Sequence, residues 1–126
     1  MLIVALVFAG LAALVHVYIF WLEALAFDTV GRKAFGVSAE DAAIMRPWAY
    51  NQGFYNLFLA IGTAAGLGLA DPNRDAGLAL VTLTTGSMVT AALVLITSDA
   101  SKARGAIVQG LFPAISLIAL GIWALG

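Results

Sequence analysis

Leu2–Phe27 reads LIVALVFAGLAALVHVYIFWLEALAF, a run whose only titratable side chains are His16, Tyr18 and Glu23. About 20 predominantly apolar residues are enough to carry an α-helix across the hydrocarbon core of a bilayer. This run exceeds that length, and three others match it: Tyr50–Ala70, Ala76–Thr97 and Gly105–Leu125. The reading is therefore an all-α polytopic membrane protein, with four transmembrane helices in an up-down bundle and a single domain over 1–126. A cleavable leader has a shorter apolar segment with basic residues before it, so the first run is read as a retained helix.

Composition agrees with that reading. The chain of 126 residues is 63% hydrophobic and only 10% charged, too few charges to cover a water-exposed surface. A net charge of −1 leaves no basic footprint for nucleic acid. With no cysteine there are no disulfides, thiolate metal sites or cysteine nucleophiles. No glycine-rich phosphate cradle and no cluster of metal-ligating side chains is present.

The connections order the helices. Asp71-Pro72-Asn73-Arg74-Asp75 is a turn that makes its flanking helices antiparallel neighbours, and Ser98–Arg104 is nearly as short. Asp28–Ala49 is longer. Within it Ser38-Ala39-Glu40-Asp41 has the form of a helix start, Pro47 is expected to close that short helix, and Trp48 and Tyr50 suit a membrane–water boundary. A short interfacial helix and a plain spacer both fit. Arg32, Lys33, Arg46, Lys102 and Arg104 fall on one side of the bundle and only Arg74 on the other. The positive-inside rule then gives a multi-pass protein of the inner or plasma membrane with both termini extracytoplasmic.

Polar residues concentrate in the cytoplasmic half. His16 and Glu23, seven residues apart, share one face of an α-helix, about 16 Å and about 6 Å from its cytoplasmic end. A carboxylate facing lipid costs up to about 3 kcal/mol, so Glu23 is expected to face protein, a wet cavity or headgroup water. Asn51, Gln52, Tyr55 and Asn56 open the second helix, and Gln52, Asn56, Leu59, Thr63 and Gly66 form a stripe at helical spacing. Buried amides need partners, either on other helices or on a ligand. Thr82, Gly86, Thr90, Leu93 and Thr97 form a third-helix stripe read as a packing face, with Gly62, Gly66 and Gly86 admitting close approach. Gln109, Pro113 and Ser116 share a face of the fourth helix, where Pro113 frees the carbonyl of Gln109.

HVYIFWLE (His16–Glu23), NQGFYNLFLA (Asn51–Ala60) and QGLFPA (Gln109–Ala114) resemble the domain of unknown function 1304 family of small bacterial membrane proteins. The resemblance covers essentially the whole chain and is most specific in the second helix. It implies four spanning helices and no established activity. It makes His16, Glu23, Asn51, Gln52, Tyr55, Asn56 and Gln109 signature residues without roles.

Three functions of different class follow. One is a site that binds or transforms a small lipophilic molecule, with Glu23 or His16 as the catalytic proton-moving groups and Asn51, Gln52, Tyr55, Asn56 and Gln109 as ligand-binding residues. Another is a structural or accessory subunit whose polar cluster only fixes packing. The third is a proton-coupled small-molecule transporter working as a homo-oligomer. Haem ligation through His16 is a remoter option, because the chain has no second histidine. The bilayer is the expected partner in every case.

Overall fold

The computed structural model describes all residues from Met1 to Gly126, and the chain is helical with no strand. Helix α1 is Leu2–Phe20, α2 is Ala39–Leu69, α3 is Arg74–Ser98 and α4 is Ala103–Ala124. Two wide π turns, Trp21–Leu25 and Phe27–Gly31, and a single α turn at Arg32–Ala34 follow α1, and a 3₁₀ turn at Ala100–Lys102 precedes α4.

Three segments, Leu2–Leu25, Arg74–Ser98 and Ala100–Ala124, are long and apolar enough to cross a membrane. The expectation was four, and α2 falls outside the set. Asn51, Gln52 and Asn56 interrupt it, and from Tyr55 to Leu69 three alanines and three glycines dilute the four leucines and one isoleucine.

The expected short helix closed by Pro47 is absent. Ser38 caps one continuous helix, its Oγ accepting from the amide of Asp41 at 3.1 Å, and that helix runs on for 31 residues through Pro47. Proline removes the amide that would bond the carbonyl of residue 43. Ala43 is exposed, so that carbonyl is open to solvent instead. At about 1.5 Å per residue, α2 is about 46 Å long, well beyond a hydrocarbon core of about 30 Å. At the opposite end Asn73 caps α3, its side chain accepting from the amide of Ala76 at 3.3 Å. This starts α3 two residues before the expected Ala76.

Helix α1 packs on α2 and α4, and α3 packs on the same two, while α1 and α3 barely touch across the diagonal. Near the α2–α3 turn the interior is made of small side chains: Ala5 and Ala9 of α1 meet Val81 of α3 and Ala119 and Leu120 of α4. Small residues let helix backbones approach closely, and polar links reinforce them. Ser116 donates to the carbonyl of Ala5 at 2.8 Å and Thr63 donates to Thr84 Oγ1 at 2.8 Å.

The opposite end is polar and basic. Arg46 pairs with Asp28 at 2.6 Å on the surface, and Lys102 donates to the carbonyl of Phe35 at 3.2 Å, tying the first and third connections together. Between α3 and α4, Asp99 accepts from the hydroxyl of Ser101 at 2.6 Å and from its amide at 3.0 Å. Those two bonds, with Lys102 nearby, hold its carboxyl below the usual carboxylate range.

Candidate functional site

Helices α2 and α3 are joined tightly at the Ala70–Asn73 turn and separate toward the basic end. At Gly66 an added Cβ would lie 2.9 Å from the carbonyl of Gly77, and at Gly62 it would lie 2.9 Å from Thr84 Cγ2. At Gly86 it would meet nothing within 4 Å. This corrects the expectation that Gly86 packs against α2; Gly77 holds that place. Meanwhile α1 stays against α2, and Gly110 of α4 would put a Cβ 2.8 Å from Ala92 of α3. The two pairs, α1 with α2 and α3 with α4, therefore splay apart between α2 and α3.

The splay leaves a groove of about 910 Å³. His16 of α1, Glu23 of the π turn that follows it and Gln109 of α4 line it. Gln52, Tyr55, Asn56 and Leu59 form the α2 wall, and residues of α3 from Thr82 to Ser98 form the other. Of the seven sequence-selected residues, six are brought together. Asn51 is not: it is exposed and lies off the groove. Gln52 and Tyr55 stand exposed at its rim, Gln109 is half-buried, and His16 and Asn56 are buried. Thr82, Gly86 and Thr90, read from the sequence as a packing stripe, instead line the groove, whereas Leu93 and Thr97 face outward.

The polar centre is built from backbone irregularity as much as from side chains. Glu23 lies within the first π turn. Such wide turns are uncommon and recur at functional sites. The helix kinks at Ala26 (φ −122°, ψ 21°), whose amide donates to Trp21 O at 2.9 Å and whose carbonyl accepts from Gly31 at 2.8 Å. Gly31 is essential to that bend, because a side chain there would overlap the carbonyl of Leu22. Opposite, Gly53 lets α2 approach until an added Cβ would lie 2.9 Å from Ala24 Cβ and 3.2 Å from Glu23 Cβ. One turn further along, Asn56 Nδ2 donates to Glu23 Oε2 at 2.7 Å. Gly53 belongs to the helix-two motif but has no functional group, so only the backbone distance reveals its part.

The remaining hydrogen bonds determine what the groove presents. Asn56 Nδ2 also donates to the carbonyl of Gln52 at 3.2 Å. A carbonyl can only accept, so the amide orientation is fixed and Oδ1 is left as a free acceptor. His16 Nδ1 is 2.9 Å from the carbonyl of Ala12, so Nδ1 carries a proton, and in the neutral imidazole Nε2 is then an acceptor. No hydrogen bond occupies His16 Nε2 or Asn56 Oδ1, and both residues line the groove. No group of three or more His, Cys, Asp or Glu side chains is placed to hold a metal ion.

A family model described as a protein of unknown function, DUF1304, matches residues 10–121. No curated protein and no solved structure matches the chain.

Proposed function

The chain belongs to the domain of unknown function 1304 family, and we propose that it is an integral membrane protein whose polar groove binds a small lipophilic molecule from within the bilayer. All four long helices span the membrane in this reading, α2 with its apolar half and its first turns projecting into the cytoplasm. Two features support this. Large apolar side chains such as Ile3, Leu14, Leu83 and Ile118 are exposed around the outside, which suits lipid. Glu23 and Asn56, which would be costly against lipid, turn inward and bond each other.

The observation that carries the binding reading is the space beside that pair. Polar side chains that only fixed packing would saturate one another and leave no volume. Here about 910 Å³ lies against His16, Glu23 and Asn56, within the usual range for small-molecule sites. The groove opens between α2 and α3 along apolar walls, so the access route leads to lipid tails. The occupant has a polar head at Glu23 and an apolar body along Leu59, Leu83 and Val94.

The test is to extract purified protein with organic solvent and identify what it carries by mass spectrometry. Wild type is expected to hold a lipophile in near-stoichiometric amount. Gly86→Trp, which fills the groove where nothing opposes a side chain, is expected to lose it. Extracts containing only bulk lipids in the same proportions for both proteins would overturn the proposal.

The orientation is tested separately. The chain has no native cysteine, so single cysteines can be placed at exposed Glu40 and Asp71. With the basic loops inside, Glu40→Cys should react with a membrane-impermeant maleimide only in inverted vesicles, and Asp71→Cys only in intact cells. Labelling of both from one side would rule out the topology.

A further inference from the structure

The lone pairs and protons around the groove specify the head group of its occupant. This inference rests on the binding reading above and adds the ligand's chemical class. In the deepest part every side-chain N–H of known orientation is already spent. Both Asn56 Nδ2 protons go to Glu23 Oε2 and the Gln52 carbonyl, and the His16 Nδ1 proton goes to Ala12. On the α3 wall Ser87 donates to Leu83 O at 2.8 Å and Thr90 donates to Gly86 O at 2.8 Å, so those hydroxyls also offer the groove lone pairs only.

What remains open is His16 Nε2, Asn56 Oδ1 and the second oxygen of Glu23, flanked by two acceptor hydroxyls. The side chains able to donate, Gln52, Tyr55, Thr82 and Gln109, lie toward the rim or, for Gln109, carry an acceptor as well. No lysine or arginine lines the groove. Arg46 is paired with Asp28 on the surface and Lys102 is bonded to Phe35.

We infer that the groove selects molecules whose head group donates hydrogen bonds and bears no negative charge, with a lipophilic primary or secondary amine as the preferred class. An ammonium group brings two or three N–H donors to a site with several acceptors and one carboxyl, and finds no competing cation there. A fatty carboxylate or phosphate would meet Glu23 with nothing to neutralise it. An ether would add one more acceptor among acceptors and leave them unmet, which costs binding at a desolvated site.

The test uses four probes with the same chain: dodecylamine, dodecanol, dodecyl methyl ether and dodecanoate. Wild-type protein in phosphatidylcholine nanodiscs is titrated with radiolabelled dodecylamine, with protein-free nanodiscs as the blank, and the other three compete. Saturable amine binding is expected, with dodecanol competing at least tenfold more weakly and the ether and dodecanoate failing to compete at 100-fold excess. Competition by the ether or dodecanoate equal to that of the amine overturns the head-group inference and leaves the binding site standing. Absence of saturable amine binding also overturns it, and the organic extract then decides the earlier reading by itself: a lipophile lost from Gly86→Trp keeps the site, and its absence removes both.

Discussion

Gly77→Ala should be the most destabilising single-methyl change along the α2–α3 contact. A Cβ at this position would lie 2.6 Å from the amide nitrogen of Ala70, 2.7 Å from its Cα and 2.7 Å from the carbonyl oxygen of Gly66. All three are backbone atoms of α2 or its end, so no rotamer change can relieve the overlap. The helices must separate at their closest point, beside Val81 and the small-residue core that includes Ala5 and Ala9. Overpacking a well-filled interior costs about 1–3 kcal/mol, and unyielding backbone neighbours put this site at the upper end. SDS titration of purified protein, followed by circular dichroism, is the measurement. Gly86→Leu is the control: it adds far more volume on the same helix but enters open space, and its unfolding midpoint should stay near that of wild type. Equal losses from the two variants would mean that α2 and α3 stay in contact along their whole length and that the groove does not exist.

That pair of glycines shows what the sequence could and could not reveal. Gly86 lies among small and hydroxylated residues at helical spacing, so periodicity assigns it to a packing face; Gly77, flanked at helical spacing by Arg74, Leu80 and Val81, carries no such pattern. Whether a partner helix is present depends on where α2 and α3 diverge, which no local pattern records. The apolar runs located α3, α4 and the start of α1 to within two residues, because hydropathy and turn chemistry at Asp71–Asp75 are local properties, whereas α1 ends at Phe20, short of the expected Phe27. Likewise Ser38 was legible as a cap. Pro47 was misread because its usual effect depends on whether the carbonyl it strands can be met elsewhere, and Ala43 happens to be exposed. The π turns around Glu23 left no mark either. The first of them, WLEAL, is compatible with an ordinary helix, and only contact with Gly31 and Gly53 accounts for the bend. Glu23 and Asn56 could be set at similar depth from the lengths of their helices, but the 2.7 Å bond required that bend as well.

The two members of that bond should respond differently to replacement, and the difference separates a binding site from a packing link. In Glu23→Gln the new amide oxygen can still accept from Asn56 Nδ2, so the link between α1 and α2 survives and the unfolding midpoint should move little. Yet the variant has lost its carboxyl and turned an NH₂ group into the groove, replacing an acceptor with a donor. Hydrogen bonds to charged groups contribute about 1.5–3 kcal/mol, so dodecylamine affinity should fall by roughly 10- to 100-fold. Asn56→Leu acts the other way. It removes both donors, leaving Glu23 Oε2 without its partner in a half-buried setting, while the Gln52 carbonyl keeps the helical amide of residue 56. Stranding a polar group costs about 1–3 kcal/mol, so this variant should unfold at distinctly lower SDS. If the pair served packing alone, both substitutions would shift stability in proportion to the bonds they break, and Glu23→Gln would leave amine binding unchanged. A stable Glu23→Gln protein that no longer retains the amine is the outcome specific to a ligand site, because no packing contact is lost in it.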